Sequence, residues 1–190
     1  MTPAATGWTG APIADVLRRR VVAHADARGA FSELWRASWT DPLGGRPFVQ
    51  ANLSRSLPRV LRGLHVHRHQ ADLWSVLAGV GTIALVDLRP ALAGAGGAPP
   101  TAVLPVEAGD QVYIPALVGH GFYAHRELQL CYLVSNEYDG TDELGFAWDD
   151  PAVGIPWPAV PGTPDGRPIL SDRDRSNPTL RDLVERLRDS

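Results

Sequence analysis

A chain of 190 residues with a formal net charge of −3 is long enough for one real core and has no basic excess suited to nucleic acid or an anionic membrane. All 18 of its basic residues are arginine, so no chemistry that needs a lysine amine is open to it. The single cysteine, Cys131, rules out an internal disulfide framework and suits a reducing compartment.

From the N-terminus, "MTPAATGWTGAPIADVLRRR" lacks the apolar stretch of a signal peptide, and no apolar run is long enough to span a bilayer. The expectation is one cytoplasmic domain over residues 1–190, with neither membrane nor nucleic acid as partner. Segments of β-branched, aromatic or alternating character predict strands around 19–24, 31–39, 48–53, 60–65, 73–77, 82–88, 103–106, 111–114, 121–124 and 129–134. Turn-like stretches ("DARG", "DPLGGRP", "AGVG", "EAGD") separate them, which points to a sandwich or barrel. Arg18–Arg20 read as a solvated edge. "ALAGAGGAPPT" reads as a loop, and "DDPAVGIPWPAVPGTPDGRP" as an irregular surface wrap pinned by Trp148 and Trp157. "NPTLRDLVERLRDS" predicts a short C-terminal helix capped by Thr179, with Leu180, Leu183 and Leu187 on one face.

The chemistry concentrates in "RGLHVHRHQADLW". In a strand, alternate residues share a face, so His65, His67 and His69 are expected to project together. Asp72 follows His67 after four residues, and a distant stretch runs from Gly109 through Pro115 to His120. This is close to the two-part pattern of metal-binding cupins, with aspartate in place of glutamate. Two imidazoles, a carboxylate and a third imidazole suit a divalent transition metal held by His65, His67, Asp72 and His120. The same residues also suit a polar ligand pocket without metal, and spacing alone leaves both open.

Several further motifs stand in order: "FVQANLSRSLPRVLRGLH", "VDLRP", "DQVYIPALVGHGF", "LCYLVSNEY", "FAWDDPAVGIPWP" and "PILSDRDR". From "DARGAFSELWR" to about residue 178 the chain resembles the dTDP-4-dehydrorhamnose 3,5-epimerase family. The resemblance implies an all-β cupin jelly-roll, a nucleotide-sugar substrate, no cofactor, and a homodimer that exchanges N-terminal strands. It also implies roles. His65 matches the general base, Asp174 the carboxylate paired with it, and Tyr132 the acid. Tyr138, Arg62 and His120 match pocket residues around the sugar. Arg28, Gln50, Asn52 and Arg173 match nucleotide and diphosphate contacts, while Phe31 and Glu33 match a contact from the exchanged strand. The implied reaction is 3- or 3,5-epimerisation of a nucleotide-linked 4-keto-6-deoxyhexose.

One stretch departs from the family. Where the resemblance places a lysine this chain has Asp72, the segment is about three residues shorter, and His67 stands for a glutamine. The lysine's physical task is to stabilise an enolate, which an anion opposes. A metal-dependent cupin enzyme, or a nucleotide-sugar-binding homologue with altered chemistry, therefore stands as the alternative.

Overall fold

Short alternating strands with apolar residues on one or both faces must pair and then cover those faces, and the chain does so by folding into two facing antiparallel sheets. In the computed structural model, which describes residues 7–39, 43–158 and 166–189, the strands are β1 (Thr9–Gly10), β2 (Leu17–Arg20), β3 (His24–Asp26), β4 (Gly29–Phe31), β5 (Gln50–Ser56), β6 (Leu61–Val66) and β7 (Asp72–Ala78). They continue as β8 (Val80–Asp87), β9 (Thr101–Glu107), β10 (Asp110–Ile114), β11 (Val118–Ala124), β12 (Leu128–Val134) and β13 (Leu144–Gly145). One sheet has the order β1-β2-β10-β7-β12-β5 and the other β13-β6-β11-β8-β9. The result is an all-β jelly-roll of the cupin type. The hairpin β3–β4 stands apart from both sheets.

Burial along β8 shows how the layers are built. Ile83 and Leu85 join Val76, Trp74, Val112, Phe122 and Leu130 between the two sheets. Their alternates Ala84 and Val86 face the other way, onto Leu64, Phe146 and the helix α3 (Leu180–Arg188). A strand covered on both faces reads as a continuous apolar run, which "TIALVDL" does. The C-terminal helix forms as its sequence predicts. The Thr179 hydroxyl accepts the Asp182 amide at 3.2 Å, and Leu180 and Leu183 are buried, with Val184 beside them. No helix among the described residues is long and apolar enough to cross a membrane.

Several expectations need correction. The segment 31–39 does not form a strand. Only Gly29–Phe31 pairs, and Ala37–Trp39 is a 3₁₀ turn. The segment 19–24 is split between β2 and β3. The loop expected from residue 91 begins inside a one-turn helix, α1 (Arg89–Leu92), with a proline in its first turn where a missing N–H costs nothing. The "LSDRD" stretch, for which the sequence offers no element, forms a short helix, α2 (Asp172–Ser176), capped by Ser171. The irregular wrap is pinned as expected: Trp157 Nε1–H donates to the Trp148 carbonyl at 2.8 Å. Its residues 159–165 lie outside the described ones.

Candidate functional site

Strand register assembles the site. β6 and β11 pair so that His65 stands opposite His120. Their backbones come unusually close at Gly63, where φ is +123° and an added Cβ would stand 2.7 Å from Gly121 Cα. Only glycine fits that approach. On the facing sheet, Tyr132 lies between Asn52 and Trp74, and Val134 opposite Asp72. Between the two walls opens a cavity of about 400 Å³. Gln50, Asn52, Arg62, His65, His67, Asp72, His120, Tyr132 and Tyr138 all line it. A pocket of that size accommodates a sugar with part of its substituent.

His65 Nε2 lies 2.8 Å from Asp174 Oδ1. Asp174 comes from α2, where its own amide donates to the Ser171 hydroxyl, and it is buried. Burial alone would raise the Asp174 carboxyl. The His65 hydrogen bond and charge, with the Ser171 and Gly63 contacts, outweigh it and hold the group below the usual carboxylate range. With Nε2–H donating to Asp174, the lone pair of His65 resides on Nδ1. That nitrogen has Glu143 Oε1 at 3.8 Å, and Glu143 is in turn held by Arg173 Nη1 at 2.5 Å.

Tyr132 occupies the opposite wall. Burial, then the charge of Asp72, raises its phenol above the ordinary value, so it stays protonated at neutral pH. His120 is enclosed, and burial lowers it to about 4, against the opposing pull of Asp72. It is a neutral imidazole at physiological pH.

The expected row of three histidines does not form. β6 ends at Val66, and the chain turns, which leaves His69 exposed. Asp142 makes this turn: its carboxylate accepts the amides of Arg68, His69 and Gln70 at 2.7, 3.0 and 3.2 Å. Its carbonyl accepts His67 Nδ1–H at 2.7 Å. The expected four-ligand metal set also changes. His67, Asp72 and His120 bring ligand atoms within 4.8 Å of one another, whereas His65 is turned to Asp174 and is not of the group.

Other expected residues are dispersed. Tyr138 is exposed at the rim, its amide donating to Gln50 Oε1. Arg28, Phe31 and Glu33 do not line this cavity. Arg28 pairs with Asp26 at the tip of the β3–β4 hairpin, and Glu33 pairs with Arg36. Arg173 reaches the site only through Glu143. Sequence reasoning missed Glu143, Asp142 and Gln70. Their signal is tertiary, since the residues they contact are distant in the chain or lie across an unforeseen turn.

Comparison with known proteins gives one consistent answer. The family model described as dTDP-4-dehydrorhamnose 3,5-epimerase matches residues 10–182. A relative from Sinorhizobium fredii, "dTDP-4-dehydrorhamnose 3,5-epimerase", is 33% identical over 182 residues, covering 90% of this chain and 88% of that protein. The RmlC epimerase of Mycobacterium tuberculosis superposes with a TM-score of 0.82 at 26% identity, over 94% of this chain and 90% of that one. A Legionella pneumophila 3,5-epimerase solved with dTDP-4-keto-L-rhamnose gives a TM-score of 0.81 at 28% identity, over 95% of each chain.

Proposed function

Because the chain belongs to the dTDP-4-dehydrorhamnose 3,5-epimerase family, we propose that it epimerises a dTDP-linked 4-keto-6-deoxyhexose, at carbon 3 or at carbons 3 and 5, in deoxysugar biosynthesis. Members of that family are sugar-nucleotide epimerases, which are isomerases. A hydrogen on carbon next to a ketone is acidic, because its loss gives an enolate. His65 Nδ1 removes that proton. Asp174 fixes the imidazole in the tautomer that leaves Nδ1 free and stabilises the imidazolium that results. Tyr132 returns a proton from the other side. Arg62, Gln50, Asn52 and Tyr138 border the space for the rest of the substrate.

The observation that supports this reading is that His65 and Tyr132 stand on opposing sheets, with the cavity between them. Removal from one face of a ring carbon and return at the other inverts it. Proton transfer delivers no electrons to an acceptor, so no redox cofactor enters the reading. The proposed assembly is a homodimer that exchanges its β3–β4 arms, which would bring Phe31 and Glu33 to the neighbouring protomer's nucleotide side.

Solvent deuterium incorporation into dTDP-4-keto-6-deoxyglucose tests the reading. Wild type is expected to label the carbon next to the ketone, and His65→Ala to lose labelling by about 10²–10⁴-fold. Absence of exchange by wild type would defeat the epimerase reading, and equal exchange by both proteins would remove His65 as base.

A further inference from the structure

The buried end of the cavity gathers lone pairs. His67 donates Nδ1–H to the Asp142 carbonyl at 2.7 Å, and His120 donates Nδ1–H to the Val118 carbonyl at 2.9 Å. Each of these carbonyls fixes a tautomer, so both Nε2 atoms carry lone pairs. His120 Nε2 lies 3.9 Å from Asp72 Oδ2. Asp72 is only 3% exposed, and its hydrogen bonds come from neutral donors, Trp74 Nε1–H at 3.0 Å and the Gln70 amide at 2.8 Å. A buried carboxylate facing two imidazole lone pairs is an arrangement of acceptors. It is costly unless positive charge stands among them.

We propose that His67, Asp72 and His120 form a binding site for one divalent transition metal, adjacent to the base His65 and separate from it. Two imidazole nitrogens and a carboxylate oxygen suit zinc, iron, manganese, cobalt or nickel, and three protein ligands leave positions open toward the cavity. The Gln70 amide nitrogen spans His67 Nε2 at 3.2 Å and Asp72 Oδ1 at 2.8 Å. A cation displaces this bridge, and turning the amide over offers its oxygen as a fourth donor. His65 takes no part, since its Nε2 is engaged by Asp174. One histidine therefore need not serve as both base and ligand. The consequence for chemistry rests on the epimerase reading: a cation here supplies, as a Lewis acid, the positive charge an enolate requires in a chain without lysine.

The test uses untagged full-length protein stripped by a chelator and titrated with Zn²⁺ by calorimetry and with Co²⁺ by visible absorption. We expect about one equivalent per chain and a cobalt ligand-field band. Asp72→Asn and His67→Gln should each weaken binding by about ten-fold or more, with unchanged circular dichroism, while His65→Ala binds as wild type does. Absence of heat and of a cobalt band in wild type overturns the proposal, as does undiminished binding by His67→Gln and Asp72→Asn. Loss of binding in His65→Ala equal to that in His67→Gln overturns the three-residue assignment. Because binding is read without turnover, a failure here leaves the deuterium-exchange test of the epimerase reading standing, and the reverse also holds.

Discussion

In the proposed reaction, the hydrogen bond between His65 and Asp174 decides which ring nitrogen can act. With Asp174 replaced by asparagine, a neutral amide must hold the imidazole and the imidazolium loses its counter-charge. Turnover by Asp174→Asn is expected to fall by about 10²–10⁴-fold, measured as initial rates of epimerisation. The same bond links folding to pH. The folded Asp174 carboxyl lies below its ordinary value, so its contribution to stability is present above the usual carboxylate range and is lost as pH falls through the folded value. In urea unfolding from pH 5 down to pH 3, the stability gap between wild type and Asp174→Asn should therefore shrink. A gap that is constant with pH would show that the carboxyl is not linked to folding. Tyr132 makes a separable prediction. Tyr132→Phe leaves the base in place, so solvent deuterium should still enter the substrate while inversion is lost. Loss of exchange together with inversion would instead make the phenol part of proton removal.

At the scale of elements, the features written locally were legible and those made by distant contacts were not. The helix α3 could be read because its cap and its apolar stripe lie within "PTLRDLVERL". Leu183 is 1% exposed under the second sheet, and Leu183→Ala should cost about 2–5 kcal/mol in urea unfolding. Thr179→Ala, which removes only a cap, should cost about 1 kcal/mol. Equal costs would mean that α3 is held by its cap rather than by its buried face. Strand-like composition likewise anticipated β5, β7, β8 and β12 and placed Tyr132 on β12, whereas Asp72, the first residue of β7, fell just outside the segment 73–77. Alternation failed at "HVHRHQ", where period two predicts a continuing strand. The strand stops because the Asp142 carboxylate gathers three successive amides, and nothing near residue 67 announces a partner at residue 142. Asp174 was legible through its motif, but its burial and its helix were not, since both depend on α2 packing against β6. Nothing within "RGLH" itself explains why Gly63 is glycine. The reason is the approach of β11, where Gly63→Ala meets backbone at 2.7 Å in a left-handed conformation. That variant should lose more than about 1–3 kcal/mol and should displace His65 and His120 together.

Because a jelly-roll has two sheets, the whole molecule sets His65 and Tyr132 on facing walls, and it leaves one element outside both sheets. The β3–β4 hairpin pairs only with itself among the described residues, and all six of its residues are exposed. Phe31 is 66% exposed and Val22, just before the hairpin, 67%. A two-stranded ribbon alone is marginal in water, and bare aromatic surface on it calls for a cover. In the proposed homodimer a second copy of the chain would supply one by symmetry, each arm lying on the other protomer. The expected outcome is a dimer by light scattering at micromolar concentration, and a monomer for Phe31→Asp. If the arm also completes the partner's nucleotide side, the monomeric variant should bind dTDP more weakly than wild type while its His65–Asp174 pair stays intact. Such a variant should therefore show a raised KM with a smaller change in kcat. A wild-type monomer would refute the exchange. A Phe31→Asp dimer with unchanged KM would place the interface elsewhere, on the sheets rather than on the arm.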